Sequence, residues 1–129
     1  KIKNPFLGIC LGMQLLFDYS EENDCKCLGV IEGTVERFSG ELKVPQIGWN
    51  KVKQTKKNIL FKNIPDNSYF YFVNSYYANT ADRYVLAKTL YGENFVSSVR
   101  KENFYGVQFH PEKSGEIGLK LLNNFCELC

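Results

Sequence analysis

A three-layer α/β fold, with a mixed central sheet and a smaller antiparallel sheet, is predicted for this chain by three features of its sequence. Near the start, a short apolar run passes through two glycines into a helical pattern. Segments rich in β-branched and aromatic residues, bounded by Gly, Asn, Asp or Pro, fill the middle, and an amphipathic stripe closes the chain. No repeat, low-complexity tract or proline-rich linker interrupts the 129 residues, so residues 1–129 read as belonging to one domain.

The elements follow in order. Behind Pro5, Phe6 to Cys10 is apolar and extended, Gly8 and Gly12 allow a sharp turn, and Met13, Leu15, Leu16 and Phe17 recur as in a helix. A polar stretch at 20–26 ends that helix. Strands are expected near 33–38, 48–53, 68–74, 85–91, 95–101 and 105–109. After Pro111, Ser114 is placed to cap a closing helix. Ile117, Leu121, Leu122, Phe125 and Leu128 form its core stripe, and Lys120, Asn123, Asn124 and Glu127 face water. Strand content is expected to exceed helix content.

Composition narrows the function. Sixteen basic against fourteen acidic residues leave a net charge of +2, without the basic face that phosphate tracking needs, so nucleic acid is not an expected partner. No apolar run approaches the roughly 18 residues of a membrane helix, and the opening Lys1-Ile2-Lys3-Asn4 leads into too short an apolar stretch for a secretory signal. No membrane role is expected, and the reading is a soluble, cytoplasmic protein. The five cysteines are odd in number and irregularly spaced, which argues for reduced thiols. Cys25 with Cys27 and Cys126 with Cys129 could together offer four thiolates to zinc. Neither the Cys-x-Cys spacing nor a Cys-x-x-Cys on an apolar helix end favours it, and no metal or cofactor is expected.

Two motifs carry chemistry. Gly8-Ile9-Cys10-Leu11-Gly12 has the Gly-x-nucleophile-x-Gly form of an elbow in which a strand turns abruptly into a helix and presents the central side chain. The geometry is expected to need both glycines. A thiol at a helix N-terminus meets amide donors and the positive end of the backbone dipole, which favour its thiolate, so Cys10 is the candidate nucleophile. Read alone, the pattern equally describes a small buried Cys in a glycine-rich turn. His110 is the only histidine, so an imidazole base must be this residue, and it stands at the end of the apolar Val107-Gln108-Phe109. Glu112, two residues on, lies on the same side in extended backbone, with Pro111 stiffening the pair. It could hold the imidazole tautomer. His-Pro-Glu alone also reads as a surface turn; the two motifs together favour a Cys-His-Glu triad.

With these motifs, residues 8–14 and 108–112, the sequence resembles the class I, triad-type glutamine amidotransferases, whose elbow reads Gly-x-Cys-x-Gly-x-Gln and whose second motif is Gln-Phe-His-Pro-Glu. It is similar above all to the glutaminase subunits of imidazole glycerol phosphate synthase, through residues 7–17, Ser20-Glu21-Glu22, Pro45 with Gly48-Trp49-Asn50, residues 71–77 and residues 110–125. The resemblance implies the fold of that family and glutamine as substrate: Cys10 attacks the side-chain amide, His110 gives ammonia its proton, Glu112 orients the imidazole, and water hydrolyses the thioester. It implies Gln14 and Glu22 as glutamine-holding residues, Glu22 for the α-ammonium group. By themselves they also read as a solvated helix position and a loop carboxylate. It implies a cyclase (synthase) partner in a heterodimer for histidine biosynthesis, to which ammonia passes, with Trp49 as an interface anchor or a core residue. Gln46 and Asn74 stand where many members carry His. A synthase that builds surface amino or amidino sugars is the alternative recipient of the ammonia, and a non-catalytic interaction fragment the alternative role. The family precedes its elbow with further strands and a glycine-rich loop that supplies an oxyanion donor. Those strands are expected to be missing here, making this stretch the C-terminal part of the domain and alone a poor catalyst.

Overall fold

The computed structural model describes residues 4–40 and 42–129. Lys1, Ile2 and Lys3, weighed in the sequence as part of a leader, lie outside them. Among the described residues twelve regular elements follow one another: β1 (Phe6–Ile9), α1 (Leu11–Gln14), β2 (Tyr19–Ser20), β3 (Cys25–Lys26), β4 (Gly33–Arg37), β5 (Gln46–Gln54), β6 (Ser68–Asn74), β7 (Tyr76–Thr80), β8 (Val85–Tyr91), β9 (Glu93–Lys101), β10 (Phe104–Val107) and α2 (Gly115–Leu128). Strands outweigh helices, as the β-branched and aromatic content requires.

The strands form one sheet path in the order β3-β2-β4-β7-β9-β8-β5-β6, from which β10 leaves beside β9 and carries β1. The sheet is mixed. β1 runs parallel to β10 and β2 parallel to β4, while the other pairs are antiparallel. β5 and β6 make a long antiparallel ribbon, Gln46 opposite Asn74 through Val52 opposite Ser68, and only the last two residues of β5 join β8. This ribbon is the smaller antiparallel sheet expected from the middle strands.

Apolar side chains cover both sheet faces, which gives the three layers. On one side α2 places Leu121 against Phe70, Phe72, Phe95 and Phe109; on the other Met13 of α1, Leu16 and Phe17 pack with Val35, Val96 and Val99. Phe95 and Val96, adjacent in β9, point into opposite layers as strand alternation requires. Phe70 and Phe109, both fully buried, have ring centroids 4.2 Å apart beneath the His110 loop.

Several expectations are corrected. The first helix does not run on to Phe17: α1 is a single turn. The carbonyls that would continue it are taken by the returning chain, Leu15 O by the Leu28 amide at 3.0 Å and Leu16 O by the Val30 and Ile31 amides at 2.8 and 2.9 Å. β7 went unseen because only Ser75, with no Gly or Pro, separates it from β6. The polar stretch at 20–26 holds the two-residue strands β2 and β3 around a 3-10 turn, Glu22–Asp24. Strand β10 stops at Val107 rather than at Phe109. In α2, Leu128 is 42% exposed, and Asn124 donates to Leu60 O and Lys62 O at 3.0 and 2.9 Å instead of facing water freely. Ser114 stands at the helix start but caps nothing with its side chain. Its Oγ donates to His110 O at 2.6 Å and accepts the Tyr71 amide at 2.9 Å.

Candidate active site

The parallel pairing of β1 with β10, Phe6 opposite Phe104 through Ile9 opposite Val107, brings both strands to an end at one edge. Cys10 and Gln108 follow directly, and His110 comes two residues later. Carboxyl ends of parallel strands are where open α/β sheets carry their sites. The Cys10 amide donates to Val107 O at 2.8 Å, holding the elbow on β10.

Cys10 has φ 54° and ψ −108°, a conformation L residues rarely adopt. The turn is possible because Gly8 lacks a side chain: a Cβ there would lie 2.5 Å from Gly12 O and 2.8 Å from the Met13 amide nitrogen. Gly12 itself faces open space and its φ is ordinary, so the expectation that the elbow needs both glycines holds only for Gly8.

The chemistry of the sulfur also differs from expectation. Burial pushes the Cys10 thiol above its ordinary value, and the charges of Glu112 and Glu22 act in the same direction. Hydrogen bonding from the Leu11 amide and from Gln108 opposes them without prevailing. A four-residue helix offers little dipole to offset the desolvation. The neutral thiol can donate to Val73 O, 3.6 Å away, while Gln108 Nε2 approaches Sγ at 3.5 Å. A nucleophile in this state needs a neighbouring base.

His110 is held by its backbone amide on Tyr71 O, 2.9 Å, by Ser114 Oγ on its carbonyl, and by Glu112 Oε2, 2.8 Å from Nδ1. The predicted His–Glu pair is therefore present, but a 3-10 turn at Pro111–Lys113 produces it, not extended backbone. With Nδ1 engaged, Nε2 has no hydrogen-bond partner among the described residues.

A cavity of about 470 Å3 opens beside Cys10, walled among others by Gln14, Glu22, Arg37, Pro45 and Tyr76. Of the five residues expected in the site, Cys10, Gln14 and Glu22 line it. His110 and Glu112 are not part of its wall, and the charge of Glu112 reaches Cys10. Gln14 is buried, not solvated: its Nε2 donates to Tyr76 O at 3.2 Å and Gln108 Oε1 at 3.0 Å, while its Oε1 has no hydrogen-bond partner among the described residues. Arg37 went unremarked in the sequence; its signal lay only in its position at the end of β4. Its backbone amide is fixed by Glu21 Oε1 at 3.0 Å. Trp49 is 55% exposed and stacks edge-on with Tyr71, on the surface and not in the core. The five cysteines are free thiols, and among the described residues no three His, Cys, Asp or Glu groups converge to hold a metal.

A strained cysteine elbow after β1, at the same sheet edge as a histidine and carboxylate after the parallel β10, matches the motif pattern of the class I glutamine amidotransferases. The chain belongs to this family: the model of the class-I glutamine amidotransferase matches residues 1–128. More narrowly, it is 54% identical over 125 residues to the imidazole glycerol phosphate synthase subunit HisH of Methanocaldococcus jannaschii, a match covering 96% of this chain and 64% of that protein. The HisH subunits of Maridesulfovibrio salexigens and Buchnera aphidicola are 47% and 52% identical, each over 98% of this chain and over 64% and 65% of their own lengths. The chain thus spans under two thirds of the length of these curated relatives. Among solved structures, a glutamine amidotransferase from Thermotoga maritima shares the fold with a TM-score of 0.62 at 23% identity, covering 95% of this chain and 47% of that one.

Proposed function

We propose that the chain carries the catalytic residues of a glutaminase, acting as the ammonia-producing subunit of imidazole glycerol phosphate synthase in histidine biosynthesis. The observation that carries this reading is the union of Cys10 with the His110–Glu112 pair at one edge of the parallel strands, in a sequence about half identical to HisH subunits.

The geometry supports the following sequence. His110 Nε2 takes the thiol proton as Cys10 Sγ attacks the side-chain amide carbon of glutamine, forming the C–S bond. The Leu11 amide, already directed at the sulfur, faces the oxygen on which negative charge develops. Collapse breaks the C–N bond as His110 returns the proton to nitrogen, and ammonia leaves. Water, deprotonated by His110, then adds to the thioester carbon; the C–S bond breaks, His110 returns the proton to Cys10 Sγ, and glutamate leaves. Glu112 holds Nδ1–H throughout and stabilises the imidazolium. The raised titration of Cys10 suits this scheme, since the proton moves to the base during attack.

The cavity fits a zwitterion: Glu22 offers a carboxylate to an α-ammonium group, and Arg37 offers a guanidinium to an α-carboxylate. On the outer face of the ribbon Ile47, Trp49 and Tyr69 are exposed, an apolar surface suited to a cyclase subunit in a heterodimer. The test is glutamate release by the complete gene product, assayed with its cyclase partner and the cyclase's ligand. Cys10→Ala is expected to remove it, by on the order of 10⁴-fold or more. Unchanged release in that variant contradicts the reading.

A further inference from the structure

The amides around Cys10 have only one hydrogen-bonding arrangement open to them. A carbonyl oxygen can only accept, so both amide side chains that meet Tyr76 O must turn their NH2 groups toward it. These are Gln14, at 3.2 Å, and Asn74, at 3.1 Å. Gln14 spends its second N–H on Gln108 Oε1 at 3.0 Å. Gln108 therefore presents its own NH2 to Cys10 Sγ, 3.5 Å away. Gln108 is fully buried and Gln14 is 5% exposed, so neither can reverse by turning to water. A second arm anchors Asn74 from behind. Gln46 Nε2 donates to Asn74 Oδ1 at 3.0 Å, and Asn50 Nδ2 donates to Gln46 Oε1 at 2.8 Å and to Leu90 O at 2.9 Å.

The sulfur thus sits between two opposed partners. Val73 O can accept from the thiol but only repels a thiolate, whereas Gln108 N–H favours the thiolate. The charged or titratable groups around it are Glu22, Arg37 and Tyr76 in the cavity wall, Glu112 on the 3-10 turn, and His110 just before that turn.

We propose that Gln108 is a positioning residue for the Cys10 thiolate, and that Gln14, beyond lining the cavity, fixes the direction in which the Gln108 amide points. The proposal rests on the reading of Cys10 as nucleophile, and it gives a role to the glutamine preceding Phe109-His110. Removing the donor leaves the thiolate facing Val73 O with only the Leu11 amide for support. Removing Gln14 frees the Gln108 amide to turn its oxygen toward the sulfur.

The test is the pH dependence of alkylation of Cys10 by iodoacetamide in the complete gene product, followed by mass spectrometry of the Cys10 peptide. No glutamine is involved. Gln108→Met is expected to move the half-point upward and to slow alkylation at pH 8 by roughly three- to tenfold. Gln14→Met, which does not touch the sulfur, is expected to move it in the same direction by a smaller amount. A residue that only fills space would leave the titration in place. A folded Gln108→Met protein with an unmoved or lowered half-point overturns the proposal. If that variant does not fold, an unmoved half-point in Gln14→Met overturns it instead. Shifted titration without any glutamate release from the wild-type complex would sink the glutaminase reading and leave the amide relay standing.

Discussion

Cys10 and His110 are held at the same sheet edge by different means. Cys10 is set by backbone shape: β1 runs straight into a residue at φ 54°, and the fold closes around it only because Gly8 lets the turn come within 2.5 Å of where a Cβ would be. His110 sits at φ −103°, in ordinary extended backbone, and is set by bonds to Tyr71, Ser114 and Glu112. The difference suits the roles proposed for them. A nucleophile on a short side chain must be pushed out by the chain itself, which strain at the elbow accomplishes. A base needs the right tautomer and ring direction, which hydrogen bonds to Nδ1 and to the backbone supply.

This contrast can be broken from either side. The largest effect lies on the histidine side. Glu112→Gln keeps the shape but loses the carboxylate, and kcat for glutamate release is expected to fall by on the order of 10² to 10⁴, with KM little changed. Steady-state kinetics on the complete protein with the proposed cyclase partner check this. On the cysteine side, Gly8→Ala drives a methyl into Gly12 O and is expected to cost about 2–4 kcal/mol in denaturant unfolding. Gly12→Ala, in open space, is expected to gain up to about 1 kcal/mol from helix propensity. Equal losses from the two would show that the elbow is not shaped by Gly8. A smaller loss is expected from Ser114→Ala, which strands the Tyr71 amide and leaves the His110 carbonyl with the Lys113 amide: about 1–3 kcal/mol of stability, read by the same unfolding titration.

The same contrast explains how much could be read in advance. The elbow was legible because its constraint is local: five consecutive residues spell the turn. The His–Glu pair was legible as two residues in one tripeptide, though the 3-10 turn that joins them was not. The strands at 68–74 and 85–91 stand where alternation and turn residues put them, and β7 was lost for want of a turn residue before it. The amide chain was not legible at all. Gln14 and Gln108 lie 94 residues apart, and either could be a surface glutamine until the parallel pairing of β1 with β10 sets them side by side. Arg37 joined Glu22 in the cavity for the same non-local reason. Desolvation of Cys10 likewise depends on what the rest of the chain buries, and it pushes the thiol upward, opposite to the direction expected from the elbow alone.

The most direct measurement is labelling of the complete protein by a glutamine-analogue electrophile such as a diazoketone, with adducts counted by intact mass and located by peptide mapping. One adduct per chain is expected, on Cys10 and on none of Cys25, Cys27, Cys126 or Cys129, absent in Cys10→Ala and much slowed in His110→Asn. An adduct on another cysteine, or labelling of Cys10 at the same rate without His110, would contradict it.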